Sequence, residues 1–131
     1  MLEQQEALMA GNHKELIVWR KAMTLTLDVY RCTKGFPREE TYGLVAQMRR
    51  AAVSIPSNIA EGRGRYSSRE MSKFLVNARG SLLELETQIE IARELGYISN
   101  GESQNLLGLS AEVGRLINGM LSHFREPAAV S

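Results

Sequence analysis

The sequence predicts an all-α protein: an up-down-up-down antiparallel four-helix bundle with a proline-kinked second helix. Three observations predict it. Apolar residues recur at three- and four-residue spacing through nearly the whole chain, and no stretch alternates with a period of two, so helices and not strands bury the apolar face. Breakers fall at Gly35 with Pro37, around Gly62 to Tyr66, and at Gly96, dividing the chain into four segments of helix length. Short connections between such segments make sequential neighbours antiparallel, the simplest way to bury four apolar stripes.

At 131 residues the chain suits one domain. The expected layout is an N-terminal tail over 1–12, a bundle over 13–126 and a C-terminal tail over 127–131. The first helix, 13–34, carries Leu16, Trp19, Met23, Leu27 and Tyr30. It stops at Gly35, with Pro37 following, an ordinary helix ending. The second, 38–65, carries a core stripe of Leu44, Met48, Ala52, Ile55 and Ile59. Pro56 lies in its interior, where it removes one N–H and crowds the carbonyl of Ala52, at a cost of roughly 3 kcal/mol. Ser54, Ser57 and Asn58 flank it, short polar side chains able to bond backbone groups that a kink leaves open.

Ser67 and Glu70 stand in capping-box spacing at the start of the third helix. From there Met71, Phe74, Leu75, Ala78, Leu82, Leu85, Ile89 and Ala92 hold one face as far as Gly96. Ser99 and Glu102 repeat the box ahead of the fourth helix, which carries Leu106, Val113, Leu116, Ile117, Met120 and Phe124. Three interior glycines cost that helix up to about 1 kcal/mol each relative to alanine.

The second helix has more apolar surface than one bundle uses. At 100° per residue, Tyr42, Val53, Pro56 and Ala60 form a stripe beside the core stripe, which predicts a subunit interface and a homo-oligomer. The remaining arc holds Gln47, Arg50, Ser54, Ser57, Asn58, Glu61 and Arg65.

Net charge is only +1, but it is unevenly distributed. From Arg38 to Arg79 eight basic residues face four acidic ones, a local +4; from Gly80 to Ser131 three face seven, a local −4. Arg50, Arg63, Arg65, Arg69 and Lys73 are therefore candidate phosphate contacts for RNA or DNA, since guanidinium forks match phosphate oxygens. The competing reading pairs these cations with Glu84, Glu86, Glu90 or Glu94, within a subunit or between subunits. Tyr66 is the sole aromatic beside them, too little for base stacking.

Catalytic signatures are missing. His13 and His123 sit at opposite ends of the bundle without neighbours at metal-ligand spacing. Glu84, Glu86 and Glu90 lack the inward Glu-x-x-His pattern of bundle metal sites. Gly62-Arg63-Gly64 lies at a helix end, not between strand and helix, and reads as a turn. Neither an enzyme, a cofactor nor a metal is expected. No apolar run approaches the roughly 20 residues of a membrane span, no secretion signal is evident at the N-terminus, and a lone Cys32 suits packing in a reducing compartment. A cytoplasmic location is the expectation.

Several blocks carry a family resemblance. Leu16-Ile17-Val18-Trp19-Arg20-Lys21-Ala22, Gly35-Phe36-Pro37, Gly43-Leu44 with Gln47, Arg49 through Gly62, and Phe74-Leu75 with Ala78-Arg79-Gly80-Ser81 and Glu84 occur in order. Between Leu16 and Tyr97 the chain resembles the four-helix-bundle family named for reading frames within intervening sequences of bacterial large-subunit ribosomal RNA genes. The resemblance implies a homopentamer. It also implies kinship with the accessory variability determinant of diversity-generating retroelements, a basic pentamer that binds nucleic acid and works with a reverse transcriptase. Two functions are therefore expected in competition: a non-enzymatic homo-oligomer binding structured RNA or an RNA–protein complex through phosphates, or an assembly scaffold for a protein partner.

Overall fold

A computed structural model describes residues 12–124. The expected N-terminal tail over 1–12 apart from Asn12, the C-terminal tail over 127–131 and the bundle's last two residues lie outside that range. The described residues form four long helices and no strand: α1 (Ile17–Thr33), α2 (Leu44–Arg63), α3 (Ser68–Glu94) and α4 (Asn100–Phe124). Each packs on the next, and α4 closes on α1. Cross-helix contacts show every adjacent pair to be antiparallel. Arg49 of α2 reaches Thr33 while the Ala52 carbonyl meets Thr26. Ser54 meets Ser81, and Gly62 abuts Met71. Glu86 meets Ser110 while Ser72 reaches Phe124, and Lys21 pairs with Glu112 while Cys32 lies near Glu102.

The core uses most of the predicted stripes of α2, α3 and α4 but not that of α1. Leu16, Trp19 and Met23 are only half-buried, Leu27 and Tyr30 are exposed, and the buried face of α1 is the neighbouring one of Val18, Ala22, Leu25 and Val29. Met48, Ala52, Ile55 and Ile59 of α2 and Met71, Leu75, Ala78, Leu85, Ile89 and Ala92 of α3 are fully buried, as are Ala22, Leu25 and Val29 of α1 and Val113 and Ile117 of α4. Two helix starts differ from the sequence expectation. The first helix is divided: His13–Glu15 is a 3-10 turn, and Leu16 is extended before α1 begins. The Lys14 carbonyl accepts from the Arg20 side chain at 2.9 Å.

The second helix does not start at 38 either. Arg38–Glu40 is a 3-10 turn, and a further turn leads to Leu44. Glu40 holds that turn: one carboxylate oxygen accepts from the Leu44 N–H at 3.2 Å and the other from the Tyr97 hydroxyl at 2.9 Å. Gly43 allows it, since a Cβ there would lie 2.9 Å from the carboxylate.

Helical structure continues unbroken through Pro56. The carbonyl that the proline deprives of its donor is that of Ala52, and the Thr26 hydroxyl of α1 takes it at 3.0 Å, while also lying 2.8 Å from the Ala22 carbonyl. The expected local donors do something else. Asn58 donates to the Ser54 carbonyl and hydroxyl, and Ser54 joins Ser81 of α3 at 2.7 Å. Of the polar arc on α2, Ser54 and through it Asn58 are thereby engaged with α3.

Both capping serines act as expected. Ser67 accepts from Glu70 N–H at 3.3 Å. At Ser99 the box is reciprocal, with the Ser99 hydroxyl accepting from Glu102 N–H and the Glu102 carboxylate accepting from Ser99 N–H, each at 3.0 Å. The backbone bond from Ser99, then its side chain, hold the Glu102 carboxyl below its ordinary value. A carboxyl lowered in the folded state stabilises above its unfolded pKa and loses that contribution as pH falls through the folded one. Ser99→Ala is therefore expected to cost about 1 kcal/mol at neutral pH. Alanine keeps the N–H that holds the Glu102 carboxylate, so most of that cost should persist on acidification below the carboxylate range, as read by urea unfolding at the two pH values; a cost that vanished there would contradict a hydroxyl that accepts from Glu102 N–H.

Candidate functional site

The basic residues expected to form one surface separate into three environments. Arg50 is exposed on α2 but lies about 20 Å along the helix from Arg63, at roughly 1.5 Å per residue. Arg63 departs from the expected surface altogether: it is 2% exposed, with its guanidinium 5.7 Å from the Tyr66 ring. It ends α2, and the chain then turns through Gly64 to Tyr66, whose φ of 54° lies in the left-handed region, before α3 begins. Residues two apart on a helix point to nearly opposite sides, so Arg63, four residues past the buried Ile59 and still within α2, falls on the core side of the helix and not beside Arg65.

Arg65, Arg69 and Lys73 occupy the remaining environment, at the α2–α3 corner. Arg65 pairs with Glu61 at 3.2 Å and stacks over Phe74 at 5.5 Å. Both ion-pair partners are about half exposed, so solvent screens the pair and its contribution is small. Arg69 and Lys73 are exposed and four residues apart, so they share one face of α3. Among the described residues neither these two nor Arg50 makes an ion pair.

The acidic residues offered as alternative partners are engaged elsewhere. Glu84 accepts from Gln88, Glu86 from Ser110 at 2.6 Å, and Glu90 and Glu94 share Arg93 at 2.7 and 3.1 Å. Arg49, which belongs to the basic block by sequence, is structural. It donates to Thr33 and to the Tyr30 carbonyl and covers the Tyr30 ring at 4.5 Å, capping the end of α1.

The predicted second stripe is three-quarters assembled. Val53, Pro56 and Ala60 line an open groove of about 320 Å³, whose other wall is Trp19, Met23 and Thr26 of α1. Trp19 and Met23 belong to the predicted core stripe of the first helix, yet both are only half-buried. Val53 is 40% exposed, and Pro56 is buried. Tyr42 is not part of the stripe. It belongs to the turn before α2 and is 95% exposed, so a helical projection does not apply to it.

Among the described residues no three His, Cys, Asp or Glu side chains are placed to hold a metal ion. Cys32 is half-buried, and burial first, then the Glu102 carboxylate at 3.8 Å, push its thiol above the usual value, away from the reactive thiolate. No described helix is long and apolar enough to cross a membrane.

Comparison with known proteins agrees with this architecture. A protein of unknown function from the S23 ribosomal protein family of Bacteroides thetaiotaomicron, known from its crystal structure, superposes with a TM-score of 0.75 at 21% identity, over 80% of this chain and 98% of its own. At that identity the likeness establishes the fold alone. No curated protein matches the chain. The family model described as 23S rRNA-intervening sequence protein matches residues 14–119, most of the chain, which therefore belongs to that family.

Proposed function

We propose that the protein is a non-enzymatic homo-oligomer that binds structured RNA, alone or within an RNA–protein complex, through phosphate contacts at the α2–α3 corner. The observation that carries this reading is the exposure of Arg69 and Lys73 without ion pairs among the described residues, next to Arg65. Cations left in water on a chain of net charge near zero are available for phosphate, and each phosphate contact releases condensed counterions. Arg63 is not part of this surface, and Arg50 is a separate, distant contact.

Subunit association in this reading uses the α1–α2 groove. Val53, Pro56 and Ala60 supply its apolar wall, any bend at Pro56 shapes it, and the family resemblance gives five as the number of copies. The groove equally favours the second reading, a scaffold that takes a protein partner such as a reverse transcriptase and has no nucleic-acid role.

Titration of labelled structured RNA, duplex DNA and single-stranded DNA at several salt concentrations separates the two. Salt-dependent binding to RNA is expected. Arg69→Ala/Lys73→Ala should weaken it and lower the slope of log affinity against log salt by roughly 0.7–0.9 per lost contact. Helical content should not change, since the replaced side chains make no ion pair within the single bundle. No binding at low salt, or binding indifferent to both substitutions, would discard the RNA reading and leave the scaffold.

A further inference from the structure

The core face of α3 leaves part of its apolar pattern outside. Val76, Leu83 and Ile91 are 46%, 59% and 44% exposed, on the side of the helix opposite the buried Leu75, Leu82 and Leu85. Val76 and Leu83, with the residues between and beyond them, form a seam that Ile91 borders. Arg69, Lys73, Val76, Gly80, Leu83, Thr87, Glu90 and Glu94 follow one another at alternating steps of four and three residues, a heptad repeat about 38 Å long. All are exposed except Glu90, which is partly so. The bundle has no use for this order. Gly80 sits mid-helix with nothing within 4 Å of an added Cβ, and charge runs from basic near the N-terminus to acidic near the C-terminus, the reverse of what the helix macrodipole favours.

We infer that two copies of this chain pair through the outer faces of their α3 helices, antiparallel, about a two-fold axis lying between Gly80 and Leu83. In that register the Leu83 side chain of each copy faces the space left open at Gly80 of the other, and Val76 faces Thr87. Lys73 then meets Glu90, and Arg69 meets Glu94. Each contact occurs twice, as a two-fold interface requires. No other arrangement satisfies the charges. A parallel pair sets Arg69 and Lys73 against themselves and Glu90 and Glu94 against themselves. A shift of one heptad sets Glu94 against Val76 and Glu90 against the Gly80 gap. Glu90 and Glu94 already share Arg93 within the chain, at the surface where water weakens both contacts, and they keep capacity to accept from a second cation.

Arg69 and Lys73 are also the phosphate cations proposed above, so RNA and a second copy compete for the same two side chains. The pairing stands or falls without RNA, by molar mass in dilute solution. Arg69→Glu/Lys73→Glu and Glu90→Lys/Glu94→Lys are each expected to halve the mass of the native assembly, whether that assembly contains two chains or two rings. An equimolar mixture of the two variants should recover the native mass, because reversed charges complement each other across the seam. Leu83→Glu, at an exposed position that the single bundle tolerates, should halve it as well. Native mass in either charge-reversed protein, or a mixture that stays at half mass with helical content intact, would overturn the pairing.

Discussion

Thr26→Val should destabilise the protein by about 1–3 kcal/mol, the cost of leaving a buried carbonyl without a donor. Valine matches threonine in shape, so the change removes the hydroxyl and little else. Thr26 is 7% exposed and its hydroxyl reaches the Ala52 carbonyl, the one acceptor in α2 that Pro56 cannot supply. The diagnostic experiment is a double-mutant cycle. Pro56→Ala restores an N–H four residues beyond Ala52, so the carbonyl regains a partner within its own helix. In the Pro56→Ala background Thr26→Val should then cost well under 1 kcal/mol, giving a coupling of about 1–2 kcal/mol between residues on different helices. Equal cost of Thr26→Val in both backgrounds, by chemical denaturation, would show that the threonine serves the Ala22 carbonyl alone.

That interaction also marks where the sequence stops being legible. The proline, the carbonyl it orphans and the need for a donor all follow from residue order. The donor does not: Ser54, Ser57 and Asn58 are near in sequence, whereas Thr26 is brought to Ala52 only when α1 packs on α2. Helix number, the core stripes of α2, α3 and α4 and the capping serines are readable because each depends on spacing within about one turn, whereas α1 carries two apolar stripes and only packing decides that Val18, Ala22, Leu25 and Val29 form the buried one. The helix starts at Ile17 and Leu44 are not readable, because the Arg20 and Glu40 side chains hold the turns that precede them through polar contacts that apolar spacing does not signal.

The candidate site divides in the same way. Arg69 and Lys73 lie well inside a regular helix, and their exposed face is predictable. Tyr42 stands before the start of α2, where a projection at 100° per residue does not describe the backbone, whereas Arg63 lies within α2, one turn past Ile59, and the projection itself puts it on the core side. The outer seam of α3 is present in the sequence, but its apolar members are interleaved with charges and a glycine, so the fuller core stripe on the opposite face conceals it.

Two glycines predict effects of opposite sign. Alanine is the better helix former at both, by up to about 1 kcal/mol in a helix interior. At Gly108, mid-helix in α4, nothing lies within 4 Å of the added methyl, so Gly108→Ala should stabilise by about 0.5–1 kcal/mol. At Gly62 the methyl would sit 2.8 Å from the Phe74 Cβ, 2.9 Å from the Met71 Sδ and 3.4 Å from the Met71 Cα. The sulfur can swing away. The Phe74 Cβ and the Met71 backbone cannot, because α2 and α3 are held together a few turns away by Ser54 and Ser81. Gly62→Ala must therefore push the helix ends apart, and overpacking of this kind costs about 1–3 kcal/mol, more than the propensity gain. The displaced end carries Arg65 over Phe74, so the strain falls on the α2–α3 corner, with Arg69 and Lys73 in the first two turns of α3. Gly62→Ala should thus lower the unfolding midpoint and weaken RNA binding together, whereas Gly108→Ala raises the midpoint and leaves binding unchanged. A stabilised Gly62→Ala protein would mean that the α2–α3 corner is loosely packed, and that the arginine surface built on it has no fixed shape.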